Sequence, residues 1–307
     1  MKQQTFTLIG ALLIAGATSL AVAQNLGITA ITDQFTVGNR GSNAVGTGPG
    51  GSGGTTIDPN TEFADYSGVD ATGTPIRYIN AYAGASAGDA ANGESPVQNV
   101  STIQQPDRTI LFSALTQPIT VPANTRPGAT SASDVITVGD DGGQNTLIFG
   151  DQTSTDYFAQ VDFFAIDRSA NPAEYEAAYL AIRSCRDGAA LTGSAFVIDR
   201  EPCYALWYDY NLKQVQAVRY AAGGTSANVV ARTGVAQQYG STVTGITTAW
   251  HTFRIEATGT TITFKLDGTT IASVTDSNVA NGRAALGYRS GGGILGANES
   301  AGVFDNL

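Results

Sequence analysis

WHTFRIEATGTTITFKLDGTTIASVTD, residues 250–276, decides the fold class of this chain. His251, Phe253 and Ile255 alternate with Thr252, Arg254 and Glu256, so one row faces a core and the other faces water. A turn at residues 258–260 follows, and then Ile262, Phe264 and Leu266 alternate with Thr263 and Lys265. Asp267-Gly268 is a dipeptide that favours a two-residue hairpin turn with positive backbone φ. The stretch therefore reads as a three-strand meander, with Arg254, Glu256 and Lys265 on its solvated side.

Outward from the meander the same pattern repeats. NTLIFGD, DYFAQVDFFAID, EAAYLAIRSC, CYALWYDYN, KQVQAVRYA, NVVARTGVA, RAALGYRS and GVFDNL are short β-branched or aromatic runs separated by turn residues. Evenly spaced short strands with almost no helical periodicity argue for an all-β sandwich or barrel. NPAEYEAAYLAIR could open a helix at Pro172, but Tyr179, Ala181 and Arg183 alternate with Leu180, Ile182 and Ser184, which favours a turn running into a strand. Towards the N-terminus, ITAITDQFTVGN fits a strand around Ile31, Phe35 and Val37. Residues 38–55 are so rich in glycine that they read as a flexible loop, and they lack the phosphate-cradle pattern. Residues 57–143 are polar and turn-rich: RYINAYAG and RTILFSAL look like strands, whereas SAGDAANGESPVQN and PANTRPGATSAS look like long loops. An elaborated loop region within one sandwich and a small separate module are both open at this point; a single domain over residues 24–307 is the simpler expectation.

The first residues, MKQQTFTLIGALLIAGATSLAVAQN, carry a lysine, an apolar run and a small-residue pattern at Ala21 and Ala23. They read as a secretory signal peptide over residues 1–23, since the run is interrupted and falls short of the roughly 20 apolar residues of a membrane span. No later segment is apolar enough for a spanning helix. The expected location is therefore secreted, extracellular or at the cell surface, with the periplasm as an alternative. Of 307 residues only 14% are charged, with a formal charge of −10 and a pI near 4.4. That balance argues against nucleic acid as a partner and suits neutral glycans, calcium or other proteins. In an exported chain the isolated pair Cys185 and Cys203 is expected to form a disulfide, contributing roughly 3 kcal/mol through loop closure. With the single histidine, His251, they do not supply the four ligands of a structural zinc site.

W-H-T-F-R-I-E-x-x-G-x-x-I-T-F-K-L-D-G-x-x-I, followed by V-T-D, NGRAALGYR and the terminal VFDNL, resembles the C-terminal half of concanavalin A-like lectin/glucanase domains. The nearest resemblance is to bacterial laminin G-like domains and 3-keto-disaccharide hydrolases, over about residues 156–307, and ITDQF resembles the first strand of such domains. The resemblance implies a jelly-roll β-sandwich of two antiparallel sheets, one of them concave, with a glycan-facing surface. Relatives commonly continue their last strand beyond the point where this chain stops at Leu307.

Fold does not settle chemistry. The E-x-D-x-x-E strand of the retaining glucanases in this superfamily does not occur here. Asp162 and Asp167 in QVDFFAID are separated by an odd number and would point to opposite faces of a strand. Asp199 and Glu201 in VIDREPC share parity and would stand roughly 7 Å apart if extended, within the inverting range. Pro202 beside them favours a loop, so they are weak catalytic candidates. His251 reads as structural rather than as a general base, and Trp250 as a plug at the end of the sandwich.

In YALWYDYN, Trp207 and Asp209 share one face, and Tyr204, Leu206, Tyr208 and Tyr210 share the other. The tyrosine row is expected in the core, while Trp207 is open between core and sugar platform. An aromatic plate beside a carboxylate suits a pyranose, whose C–H face stacks while its hydroxyls need acceptors and donors. Arg183, on a strand expected nearby, could donate to a sugar hydroxyl or pair with an acid. Arg183, Trp207 and Asp209 are thus the expected glycan-binding residues. VGDDGGQN offers Asp140, Asp141 and Asn145 as oxygen ligands for calcium, although a plain turn explains it better. The leading expectation is a non-catalytic glycan-binding or adhesive protein whose partner is a polysaccharide or cell-surface glycan. The alternatives are a glycoside-processing hydrolase and a self-associating subunit of an extracellular matrix or filament, the last through strand addition at an unfinished final strand.

Overall fold

A computed structural model of the chain describes residues 31–32, 44–47, 55–57, 62–70, 75–83, 97–100, 107–110, 119–126, 135–139, 144–166, 176–184, 202–221, 235–290 and 301–307. Two nine-stranded sheets account for most of them. Sheet A runs in the order β1 (Ile31–Thr32), β4 (Glu62–Asp70), β5 (Pro75–Ala83), β10 (Gln144–Phe149), β19 (Arg283–Ser290), β12 (Glu176–Ser184), β13 (Cys203–Asp209), β14 (Gln214–Tyr220) and β15 (Val235–Thr244). Sheet B runs β18 (Thr269–Thr275), β17 (Thr261–Leu266), β16 (Trp250–Thr258), β11 (Tyr157–Phe164), β20 (Ala301–Asp305), β9 (Val135–Gly139), β6 (Val97–Val100), β3 (Thr55–Ile57) and β2 (Ala44–Thr47). A separate hairpin pairs β7 (Asp107–Ile110) with β8 (Ile119–Pro122). Neighbouring strands in both large sheets are antiparallel, so the chain is an all-β, two-sheet sandwich.

The meander forms as its periodicity requires. Phe253, Ile255, Ile262, Phe264 and Leu266 are buried, and they interleave with Val161 and Phe163 of β11. Phe163 stacks on Phe253 with ring centroids 3.9 Å apart. Asp267 and Gly268 adopt φ of 50° and 78°, the pair of positive values that a tight hairpin needs to match strand twist. From sheet A the same core receives Leu147, Leu180, Ile182, Tyr204, Leu206, Tyr208, Val215 and Leu286. Trp250 closes one end: it packs on Phe164 at 5.6 Å and donates its indole N–H to the Pro122 carbonyl at 2.8 Å. NPAEYEAAYLAIR contributes its second half to β12, a strand.

Three expectations change. Ala44–Thr47 lies in the stretch read as a flexible glycine loop, yet it forms a strand against β3. Val45 and Thr47 favour a pleated backbone, and a partner ladder supplies the hydrogen bonds that a glycine tract lacks alone. Residues 57–143 contribute β4 to β6 and β9 to the two large sheets, including Val97–Val100 from a segment read as loop. The final strand is not an open edge either: β20 pairs with β11 on one side and β9 on the other, in the middle of sheet B. At the opposite margin the edge strands of the two sheets meet. Gly240 of β15 lies so near β18 that a Cβ there would stand 2.7 Å from the Ile271 carbonyl oxygen.

Candidate functional site

The residues expected to bind a glycan are interior. Arg183 is 1% exposed, at a bulge in β12 with a φ of 52°. Its Nε and Nη2 donate to the Thr155 carbonyl at 3.0 and 2.7 Å, Nη1 to the Val279 carbonyl at 2.8 Å, and Nη2 also to the Gly259 carbonyl at 2.7 Å. Asp156 stands 3.6 Å away. Rather than reaching for a sugar, the guanidinium ties three loops together at one end of the sandwich.

Trp207 and Asp209 do share a face of β13, the face of sheet A turned away from the sandwich core. There Trp207 packs between Tyr179 at 4.9 Å and Tyr220 at 5.7 Å, over Ala177, Ala181, Ala205 and Ala285. Trp207 is 3% exposed and both tyrosines 1% or less, so this is a second apolar core. Asp209 is buried too and accepts the Leu212 backbone N–H at 2.9 Å, closing the turn after β13. Tyr204, Leu206, Tyr208 and Tyr210 lie in the main core. Cys203 is buried at the start of β13, and no disulfide forms among the described residues; Cys185 lies outside them. Asp199 and Glu201, and likewise Asp140 and Asp141, lie outside the described residues, while Asn145 belongs to β10. Among the described residues no group of three or more His, Cys, Asp or Glu side chains could hold a metal ion.

Two polar clusters form instead at the ends of the sandwich. Asp162 of β11 and Asp305 of β20 are cross-strand partners, and Asn124 Nδ2 donates to both carboxylates at 3.0 Å. Thr252 Oγ1 donates to Asp162 at 2.5 Å and Asn306 Nδ2 at 3.0 Å. Arg126 adds a 2.7 Å ion pair to Asp267, whose carboxylate also holds His251 at 2.7 Å. Burial opposes the charge on His251, but its bonds to Asp267 and the Thr247 carbonyl outweigh that and raise its pKa. The pair Asp162 and Asp305 is 4% and 0% exposed, so both carboxylates are enclosed by protein donors. At the other end Asp276 accepts from Tyr239, from Tyr204 at 2.9 Å and from Arg219 at 3.1 Å. Burial would raise the Asp276 pKa, but the hydrogen bonds from Tyr239, Asn278 and Tyr204 bring it down to about 2. Burial, with Asp276 alongside, pushes the Tyr239 hydroxyl up to about 12. The first cluster ties sheet B to the segment that follows β8, the second joins sheet B to three strands of sheet A, and both read as structural.

Among the described residues, accessible chemistry gathers on the outer face of sheet B. Phe158 of β11 is 55% exposed, although its neighbours Ala159 and Val161 are buried. The Arg254 guanidinium lies over its ring, 3.7 Å from the centroid. Arg254 also donates through Nη1 to Gln160 at 3.1 Å and through Nε to Glu256 Oε1 at 2.5 Å, where Lys265 Nζ joins at 2.8 Å. Burial works against the Glu256 charge, yet the bonds from Lys265 and Arg254 prevail and lower its pKa. Beyond it, Thr263 and Ser273 share a hydrogen bond of 3.2 Å on adjacent strands. An exposed ring thus sits among a fixed carboxylate, a guanidinium, an ammonium, an amide and two hydroxyls. The sequence held a signal for this: in YFAQVDFF, Phe158 has the parity of Gln160 and Asp162, an aromatic on the polar row of a strand.

No family model matches the chain, and no curated protein matches it in sequence. Solved structures to which it is similar include a carbohydrate-binding module, CBM66, from Bacillus subtilis, at 15% identity over 56% of this chain and 83% of that one, with a TM-score of 0.36. A β-1,3-1,4-glucanase (lichenase) derived from a mouse hindgut metagenome gives 12% identity, 60% and 75% coverage, and a TM-score of 0.33. A legume lectin-like domain from Entamoeba histolytica gives 6% identity, 56% and 81% coverage, and a TM-score of 0.37. Scores this low carry no functional information; the two-sheet architecture stands on the strand register itself. Among the described residues no helix is long and apolar enough to cross a membrane.

Proposed function

We propose that the chain is an exported glycan-binding module whose ligand docks on the outer face of sheet B, at Phe158. The observation that carries this reading is the exposed ring set among hydrogen-bonding side chains that already hold one another in place. A pyranose presents a C–H face that gains by stacking on an aromatic ring, and hydroxyls that need both donors and acceptors at its rim. Gln160, Arg254, Glu256 and Lys265 supply both. Their mutual bonds restrict them before a ligand arrives, which lowers the entropy lost on binding. Export is supported by the leader-like residues 1–23, and neutral glycans suit the low charge density.

Affinity electrophoresis of the chain lacking residues 1–23, in gels containing soluble polysaccharides, tests this directly. Retardation by at least one polysaccharide is expected, and Phe158→Ala should abolish it while leaving the thermal midpoint within a degree or two, because the ring is on the surface. No retardation by any polysaccharide, with or without calcium, would overturn the function. Retardation that Phe158→Ala leaves intact would remove the site from this face.

A further inference from the structure

The outward side chains of sheet B form registered rows across four strands. Phe158 of β11 is the partner of Glu256, Glu256 of Thr263, and Thr263 of Ser273. The next row runs Gln160, Arg254, Lys265 and Thr270 across the same strands. On the other flank Thr258, Thr261 and Thr275 are partners in a third row, all exposed. With strands roughly 4.8 Å apart, each four-strand row extends about 14 Å, and successive rows are about 7 Å apart. Among the described residues the array is walled on one flank only. Past Gln160, the next outward residue of β11 is Asp162, and there Asn124 and Arg126 cross the sheet to bond Asp162, Asp305 and Asp267. On the opposite flank the threonine row is exposed, and so is Ser273 at the β18 end.

Resting on the glycan reading above, we infer that the ligand of this face is the interior of an extended polysaccharide chain laid across strands β11, β16, β17 and β18, and not a chain end or a small free sugar. A chain end is recognised by enclosing it, and this platform is open beyond Phe158 on the threonine flank and at β18. Recognition along a row is cumulative: one sugar stacks on Phe158, and the next ones meet Glu256 with its two cations and then the Thr263 and Ser273 hydroxyls. Each hydroxyl contact is weak alone, so affinity must grow with the number of sugars that reach it.

The test uses mixed-linkage β-glucan, xylan and galactomannan, and for each the matching di- to hexasaccharides, in calorimetric titrations. For whichever backbone binds, the hexasaccharide is expected to bind at least tenfold more tightly than the disaccharide. Phe158→Ala should weaken every length, whereas the double variant Thr263→Val with Ser273→Ala should weaken the hexasaccharide several-fold and leave the disaccharide unchanged. Affinity independent of length, or a double variant that affects all lengths equally, overturns this inference while the Phe158 site stands. Failure of every polysaccharide to bind overturns both.

Discussion

Replacing Arg183 by Met keeps most of the side-chain volume and removes the guanidinium that joins Thr155, Val279 and Gly259. Three carbonyl oxygens at the end of the sandwich then lose their donor. Each such group costs about 1–3 kcal/mol if it stays dry, and partial rehydration of the loops brings the expected total to about 3–5 kcal/mol. For a chain of this size, with a urea m-value of about 3 kcal/mol/M, the midpoint should fall by about 1 to 1.7 M at unchanged m. The backbone gives an internal control. Because φ at this position is 52°, Ala is strained there and Gly is not. Arg183→Gly should therefore be more stable than Arg183→Ala by about 1 kcal/mol, although it removes more of the chain's own rigidity. A loss below about 1 kcal/mol for Arg183→Met would refute the latch, since surface positions change stability by that little. Glycan binding by the folded variant should match wild type, because the guanidinium faces the interior and not the platform.

Gly268→Ala tests the hairpin: the added Cβ meets nothing within 4 Å, so only the positive φ of 78° is penalised, and urea unfolding should show a loss of about 1 kcal/mol. Gly240→Ala should destabilise further, since its Cβ would approach the Ile271 carbonyl to 2.7 Å; hydrogen exchange of the β18 amides should accelerate as the two edge strands part. His251 has a raised folded pKa, so its contribution is fully present below the unfolded value, about 6.5, and is lost as pH rises through the folded value. The thermal midpoint should consequently fall between about pH 6 and pH 9 by more in wild type than in His251→Gln. Equal slopes would show that the Asp267 contact is not coupled to folding.

How far the sequence could be read depended on how local the governing interaction is. The meander needed only the alternation of Phe253, Ile255, Ile262 and Phe264 and the Asp267-Gly268 turn, and all of these act within a few residues of one another. Alternation also separated the two faces of β13, placing Tyr204, Leu206 and Tyr208 opposite Trp207. It could not say what covers each face, and Trp207 proved to lie in a second core beside Tyr179 and Tyr220, strands away in sequence. The role of Arg183 is not legible for the same reason: its partners at Thr155, Gly259 and Val279 are backbone atoms 28 to 96 residues distant, and carbonyls carry no sequence signature. A strand within the glycine-rich stretch was hidden because Ala44–Thr47 is held by pairing with Thr55–Ile57 more than by its own propensity.

Phe158 shows the opposite failure, a local signal that was present and outweighed. Its polar parity in YFAQVDFF marks it as an outward aromatic, whereas the larger cluster in YALWYDYN consists of rings that the fold buries. An aromatic on a core row gains by burial, about 1.5–3 kcal/mol for the larger side chains, and needs no other reason to be there. An aromatic on the wet row gains only part of this in the free protein; at 55% exposure Phe158 leaves more than half of its surface in water. The guanidinium of Arg254 over the ring offsets this by only about 0.5–1 kcal/mol at such an exposed position. Parity, read with exposure, therefore gives a criterion opposed to aromatic density. By that criterion Phe158 is the stronger candidate and Trp207 the weaker, the reverse of what composition suggests, and comparing Phe158→Ala with Trp207→Phe separates the two. The first should abolish binding at constant stability, and the second should lower stability while binding by the folded fraction is retained.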